Sequence, residues 1–552
     1  MAAGCSSGGD PGSASESNQT SQKGTDAGGD PDAKADPDAG ADSDSDVPDA
    51  DVPGGDDDEE IAGRTPGTEH GTKITSFTVT GYHATFDVRS LPSTPDVHQT
   101  DKQEAPKPPP PKDVSQGQQG PAQTVAPAAK PPKVTVNVAG IQESEAGGLH
   151  PPDTSGAIGP DQFVQTVNEA IGIYDRAGTQ LNLFSFNTFM GQFQSGTPCD
   201  NQNGGDPQVI FDQPSNRWVI ADLSYPSGGP YYFCMAVSDG PDLTSTGFTM
   251  YPFVASADSL NDYPKIASGP NGLFLTSNMF YHFQSFSGAE VWAFDRATLG
   301  KKKLGAQTVR TSSAYGSLLP ANSYAAQASK GPNYLVSLED SSHLGLWQYK
   351  VNWKKPKKST FTQTPTLIQV EPFQQAGEVP EKDGASVDSL SDRPMYQLQL
   401  ATDGTLWFDH SVQVGSQAGV RWYQIGNITG TPTVLQQSTY APNDGLSRWM
   451  GSLAVDKAGN MAVGYSTASA DAYPSINYAT RRATDKKNKL TAEGNIVKGT
   501  GSQTVTSRWG DYSQMSLDPN NDCTLWYTQE YYLVNGGNWQ TRIASFTFPH
   551  CS

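Results

Sequence analysis

Positive charge is scarce in this chain. Its 552 residues hold 37 Lys and Arg against 58 Asp and Glu, a formal net charge of −21. This argues against nucleic acid as a partner, because a phosphate backbone is held by clustered Lys and Arg. Long apolar runs are missing too: no stretch of about 18 apolar residues occurs, so no membrane-spanning helix is expected. Histidines number eight, and His150, His282, His343 and His410 fall at no metal-ligand spacing. The chain has no CxxC or HExxH, no phosphate loop and no dinucleotide fingerprint, and its one Gly-x-Ser-x-Gly, at residues 4–8, lies in a polar low-complexity run with no strand before it, so it makes no nucleophile elbow. Zinc, nucleotides and a serine nucleophile therefore have no signature here, and no cofactor is expected.

Cysteine is limited to five residues. Cys199, Cys234, Cys523 and Cys551 form an even set, which in an exported chain suggests two disulfides. Proximity favours Cys199 with Cys234 and Cys523 with Cys551, although the sequence allows three pairings and also leaves buried free thiols open. Cys5 stands apart, after Met1-Ala2-Ala3-Gly4 and before a polar, Gly-rich run. That arrangement resembles the end of a bacterial lipoprotein signal, which implies a lipidated Cys5, an exported or cell-surface location and a membrane partner through the lipid. The basic and apolar parts of such a signal do not precede it, as expected if the true start lies upstream.

The acidity is concentrated at one end. Residues 1 to 60 hold 17 Asp and Glu against Lys23 and Lys34, leaving a net charge of only −6 on the other 492 residues. The expected organisation is a signal remnant at 1–5, a disordered acidic linker at 6–73, a short hairpin at 74–100, a Pro-rich linker at 101–133 and a folded domain at 134–552. The acidic stretch has too little to bury to offset its ordering entropy, and Lys107-Pro108-Pro109-Pro110-Pro111-Lys112 reads as polyproline.

After Lys133 the texture becomes short β-branched and aromatic runs divided by Gly, Asn, Asp and Pro, and it repeats. Copies begin at Asp153, Asp206, Asp262, Tyr324, Asp392, Trp449 and Trp509, and their turns, near Asp161 to Asn521, are spaced by 55 to 71 residues. Each copy has room for four strands. This predicts an all-β fold, a seven-bladed β-propeller with six blades as the alternative, preceded by the disordered acidic and Pro-rich region. The alternating Val134-Thr-Val-Asn-Val138 is expected to complete the last blade, which is a strand short.

Arg508-Trp509-Gly510-Asp511-Tyr512-Ser513, Asp522-Cys523-Thr524-Leu525-Trp526-Tyr527 and Trp539-Gln540-Thr541-Arg542-Ile543 resemble a family of uncharacterised exported bacterial propeller-like proteins. Gly205-Asp206-Pro207-Gln208 and Asp262-Tyr263-Pro264-Lys265 join that resemblance, which implies a fold and an exported habitat but no activity. A more distant likeness is to sialidase and glycosidase propellers, although the Asp-box Ser-x-Asp-x-Gly-x-Thr-Trp is not found. Such enzymes use carboxylates, with arginines to hold an acidic substrate.

The candidate binding or catalytic residues are accordingly Asp206, Asp262, Asp392 and Asp511, with Arg393, Arg448 and Arg508. A carboxylate ring at a concave mouth suits sugar hydroxyls, calcium or a basic peptide. Alternatively each Asp ties one blade to the next, a reading that repetition favours because catalysis needs an asymmetric set. Trp218, Trp422, Trp449 and Trp509, each after an Arg, are candidates for blade packing or for sugar platforms. The leading expectation is a monomeric, surface-displayed binding or adhesion module with a glycan or protein ligand. The alternative is a secreted glycan-acting hydrolase using the Asp residues at the mouth.

Overall fold

A computed structural model describes residues 73–93, 106–109, 120–324 and 331–551. The lipidation candidate Cys5 and nearly all of the acidic stretch lie outside the described residues. The described chain is all-β, its helices being single turns. The described residues belong to one compact unit.

Seven groups of about four strands follow one another along the chain, numbered here as sheets one to seven; the fourth and fifth are joined into one ten-stranded sheet, so that six continuous sheets result, and none closes on itself as a barrel. Their first strands are Ser155–Ile158, Gln208–Asp212, Ser259–Ser268, Leu319–Ser323, Met395–Leu400, Ser447–Val455 and Gln514–Leu517. Each first strand packs against the next, and Gln514–Leu517 packs against Ser155–Ile158, so the contacts run in a circuit. The fourth and fifth first strands also pair directly, in parallel, from Ala321 with Leu398 to Ser323 with Leu400. The second strands Gln162–Val167 and Met461–Ser469 are buried almost throughout, as expected where neighbouring sheets cover both faces. The outer strand Val134–Gln142 alternates between half-buried and exposed as far as Ala139, and is buried at Gly140 and Ile141.

The first strand of the fourth sheet starts at Leu319 and ends before Tyr324, so the copy expected to begin at Tyr324 begins earlier. Its entry, Ser317-Leu318-Leu319, has neither Asp nor Trp to mark it. Tyr324 instead reaches across the circuit, where its Oη accepts from Gln397 Nε2 (3.1 Å) and from the Leu517 N–H (3.3 Å).

The described part of the expected hairpin at 74–100, residues 74–93, does not pair with itself. Thr75–Thr80 pairs with Lys303–Arg310 on the third sheet, whereas Tyr82–Thr85 pairs with Gly247–Ser256 on the second. The described parts of 101–133 are not a free linker either: Ala122–Gln123 pairs with Thr439–Tyr440, and Pro132 C=O accepts from Tyr478 Oη. The physical reason is common to both: an outer strand leaves unpaired N–H and C=O groups, and this arm covers them on several sheets. Val134–Gln142 does the same for Trp539–Thr547, giving the seventh sheet its fourth strand. Disulfides join Cys199 to Cys234 and Cys523 to Cys551. Both bonds suit an oxidising, extracytoplasmic compartment, and no described helix is long and apolar enough to cross a membrane.

Candidate functional site

The chain enters its first strands through a repeated distortion. Asp153, Asp206, Tyr263, Ser317 and Met450 all have left-handed φ, between 49° and 54°. Each lies two residues before first-strand pairing begins or resumes, at Ser155, Gln208, Lys265, Leu319 and Ser452. A left-handed residue with a side chain costs about 1 kcal/mol, so five such residues need something to hold them. Hydrogen bonds between sheets do so. The Asp511 N–H donates to Asp153 Oδ1 (2.7 Å), and Asn168 Nδ2 donates to Asp153 Oδ2 (2.8 Å). Asn168 Oδ1 accepts from the Asp206 N–H (2.8 Å), and Asp206 Oδ2 accepts from the Tyr263 N–H (3.1 Å). One chain of bonds thus crosses the seventh, first, second and third sheets. Asp206 is therefore a tie between sheets, as the repeat suggested.

Beside this chain the repetition fails. At the position that is Ser155, Gln208, Ser452 or Gln514 in other sheets, the third sheet carries Lys265, only 2% exposed. Its Nζ lies 3.0 Å from the ring centre of Tyr263 and 3.7 Å from that of Tyr512. Burial pushes the Lys265 ammonium well below its ordinary range, an effect opposed by Asp206, Asp511 and Asp262 and reinforced by Arg393. Arg393, 3% exposed, sits 4.4 Å from the Tyr263 ring centre and grips Asp392 with Nε (2.8 Å) and Nη2 (3.1 Å). Burial and the nearby Asp206 and Asp511 push the Tyr512 hydroxyl well above its usual value, and its Oη has no hydrogen-bond partner among the described residues.

On the other side of Asp511 the surroundings are acidic. Glu530, 1% exposed, accepts from the Gly510 N–H at Oε1 (2.6 Å), while its Oε2 has no partner among the described residues. Burial raises the Glu530 carboxyl well above the usual carboxylate range, and Asp153, Glu381 and Asp511 raise it further. The approach is close: a Cβ on Gly510 would come 3.0 Å from Glu530 Oε1. Burial pushes Glu381 up to about 8, against a lowering bond from the Gln503 N–H. Asp511 itself is bonded to Arg508.

Six of the seven expected residues thus gather at one place: Asp206, Asp262, Asp392, Asp511, Arg393 and Arg508. Arg448 does not. It is spent on Asp444 (2.6 Å) and Glu493 (2.7 Å), and Glu493 also accepts from Tyr465 Oη. The four tryptophans that follow an Arg are all buried, which excludes them as sugar platforms. Among the described residues no three His, Cys, Asp or Glu side chains are grouped as they would be round a metal ion. Lys265, Tyr263, Tyr512 and Glu530 went unselected in the sequence, although Asp262-Tyr263-Pro264-Lys265 and Trp509-Gly-Asp-Tyr512 stood out as motifs. A lysine where four other copies have Ser or Gln was the signal available.

No family model matches the chain, and no curated protein matches it. Among solved structures the chain is similar to an ulvan lyase from a new polysaccharide lyase family, at 11% identity over 76% of this chain and 94% of that one, with a TM-score of 0.35. It is also similar to a protein of unknown function from Dyadobacter fermentans, at 10% identity over 62% and 94%, TM-score 0.34. A third is the Penicillium chrysogenum α-L-arabinanase complexed with arabinobiose, at 9% identity over 68% and 98%, TM-score 0.30.

Proposed function

We propose that this protein is an exported seven-bladed β-propeller acting on glycans as a hydrolase, tethered through Cys5 and its acidic stretch. The circuit of first strands supports the propeller reading. One observation carries the enzyme reading: a buried carboxyl group and an ion-paired one stand together at a single, unrepeated place. Burial pushes the Glu530 carboxyl well above the usual carboxylate range, and Asp511 is ion-paired with Arg508. Two carboxyl groups in such unlike surroundings suit the acid and base roles of glycosidic cleavage. Glu530 gives its proton to the leaving glycosidic oxygen as the C–O bond breaks. Asp511, which is partly exposed, takes a proton from the water that adds at the sugar carbon. Arg393 and Arg508 supply positive charge for an acidic substrate.

A second reading, a binding module without turnover, is favoured by the burial of Lys265, Arg393 and Glu530 beneath Asp262, Asp392 and Asp511. Release of reducing ends from a panel of neutral and acidic polysaccharides separates the two. Turnover is expected, with Glu530→Gln lowering it by about 100-fold or more and leaving the melting temperature no lower. Binding without release of reducing ends from any member would establish the module instead.

A further inference from the structure

The hairpin between Gly272–Tyr281 and Ser285–Asp295 ends in a turn closed by the Gln284 N–H to the Tyr281 C=O (2.9 Å). Its two central residues, His282 and Phe283, have φ of 48° and 59°. Turns with two left-handed residues favour Asn-Gly, because a bulky side chain there is strained. The turn is held by the His282 N–H, which donates to the Asp258 C=O (2.9 Å), and by the Phe283 ring, 5.8 Å from the ring centre of Tyr225 and 5.7 Å from that of Tyr231. Tyr225 in turn lies over Gly204, where a Cβ would come 2.5 Å from its ring. Gly204 is two residues before Asp206. Leu260, packed with Tyr231 and Phe280 in the same cluster, is two residues before Asp262. The aromatic ridge is therefore built on the two segments that deliver Asp206 and Asp262 to the site. Tyr225 and Phe283 remain half-buried, and His282 is exposed.

We propose that this ridge is a subsite for a sugar ring, which extends a bound glycan over the second and third sheets. An aromatic face suits the C–H face of a sugar, and the tyrosine hydroxyl and His282 imidazole suit its hydroxyl groups. Strain at the turn is the reason to look here: the local backbone favours Asn-Gly, and the chain presents a phenylalanine and a histidine. The inference rests on the glycan reading of the Asp-bearing site, but its test is binding and not turnover.

Affinity electrophoresis of the whole protein in native gels containing arabinan or polygalacturonate tests it. The wild type is expected to be retarded in one of them. Phe283→Leu, which keeps an apolar side chain in the cluster, is expected to bind at least fivefold more weakly, and Phe283→Trp to restore binding. Glu530→Gln serves as the control, with binding retained. If Phe283→Leu binds weakly while the wild type cleaves nothing, the hydrolase reading fails and the subsite stands. Equal retardation of Phe283→Leu and wild type, a Phe283→Trp variant that binds no better than Phe283→Leu, or no retardation of the wild type in either gel, overturns the subsite.

Discussion

The entries to the first and second sheets and the entries to the third, fifth and seventh use similar residues differently. At the first two, Asp153 and Asp206 spend their oxygens on N–H groups of neighbouring sheets. One layer further in, Gln514 accepts from Ser155 Oγ (2.6 Å) and the Gly156 N–H (3.0 Å) and donates to the Val209 C=O (3.1 Å). These ties have a reason that lies within the fold. Around the other three entries, a lysine, an arginine and a buried glutamic acid crowd round Asp511, and burial pushes the lysine down and the glutamic acid up from their ordinary values. Repetition marks what holds the sheets together, whereas its interruption marks a place where the fold tolerates cost without structural return.

If that contrast is right, the interrupted side should make stability depend on pH. Glu381 ionises near 4.5 in the unfolded chain and only near about 8 when folded. Between those values the unfolded state releases a proton that the folded state keeps, so stability falls as pH rises and is fullest below 4.5. The slope is at most about 1.4 kcal/mol per pH unit. Glu381→Gln keeps an oxygen for the Gln503 N–H and cannot ionise, so urea melts at pH 5 to 8 should show the variant gaining on wild type with each unit. Parallel curves would mean that Glu381 titrates normally.

The repeated side should respond differently. Gln514→Leu leaves the Gly156 N–H and the Val209 C=O buried without this partner, at about 1–3 kcal/mol for each group. A loss of about 3 kcal/mol by urea melts is expected, with turnover per folded molecule unchanged. A fall in turnover without loss of stability would put Gln514 among the site residues and erase the distinction between the two sides.

Much of this was legible in the sequence, for a reason that also sets its limit. Repeated entries at Asp153, Asp206 and Asp262, and the alternation of Val134 to Val138, follow from local patterns, so the strands and the added edge at Trp539–Thr547 could be read from them. The fourth entry has no Asp or Trp, and it was placed at Tyr324 rather than at Leu319. The arm's edge pairing was hidden because Thr75–Thr80 and Tyr82–Thr85 look like the two halves of a hairpin when only neighbours in sequence are considered. Glu530 was hidden for a related reason. Its carboxyl is made an acid by burial beside Gly510, 20 residues away, and burial of that kind has no local signature.

Tyr512 gives the smallest effect and the finest division between the two sides. As a structural residue its phenol is a liability, a buried Oη with no partner among the described residues. Removing such a group relieves about 1 kcal/mol of desolvation, so Tyr512→Phe should melt slightly higher than wild type while its ring still faces Lys265 Nζ. A tie between sheets could not behave in this way, because losing a tie lowers stability. If the hydroxyl serves the site, the same variant loses turnover by about tenfold, equivalent to about 1.4 kcal/mol, in the direction opposite to its stability. A variant that is more stable and equally active would show that Tyr512 only fills space, and would move it to the repeated side of the comparison.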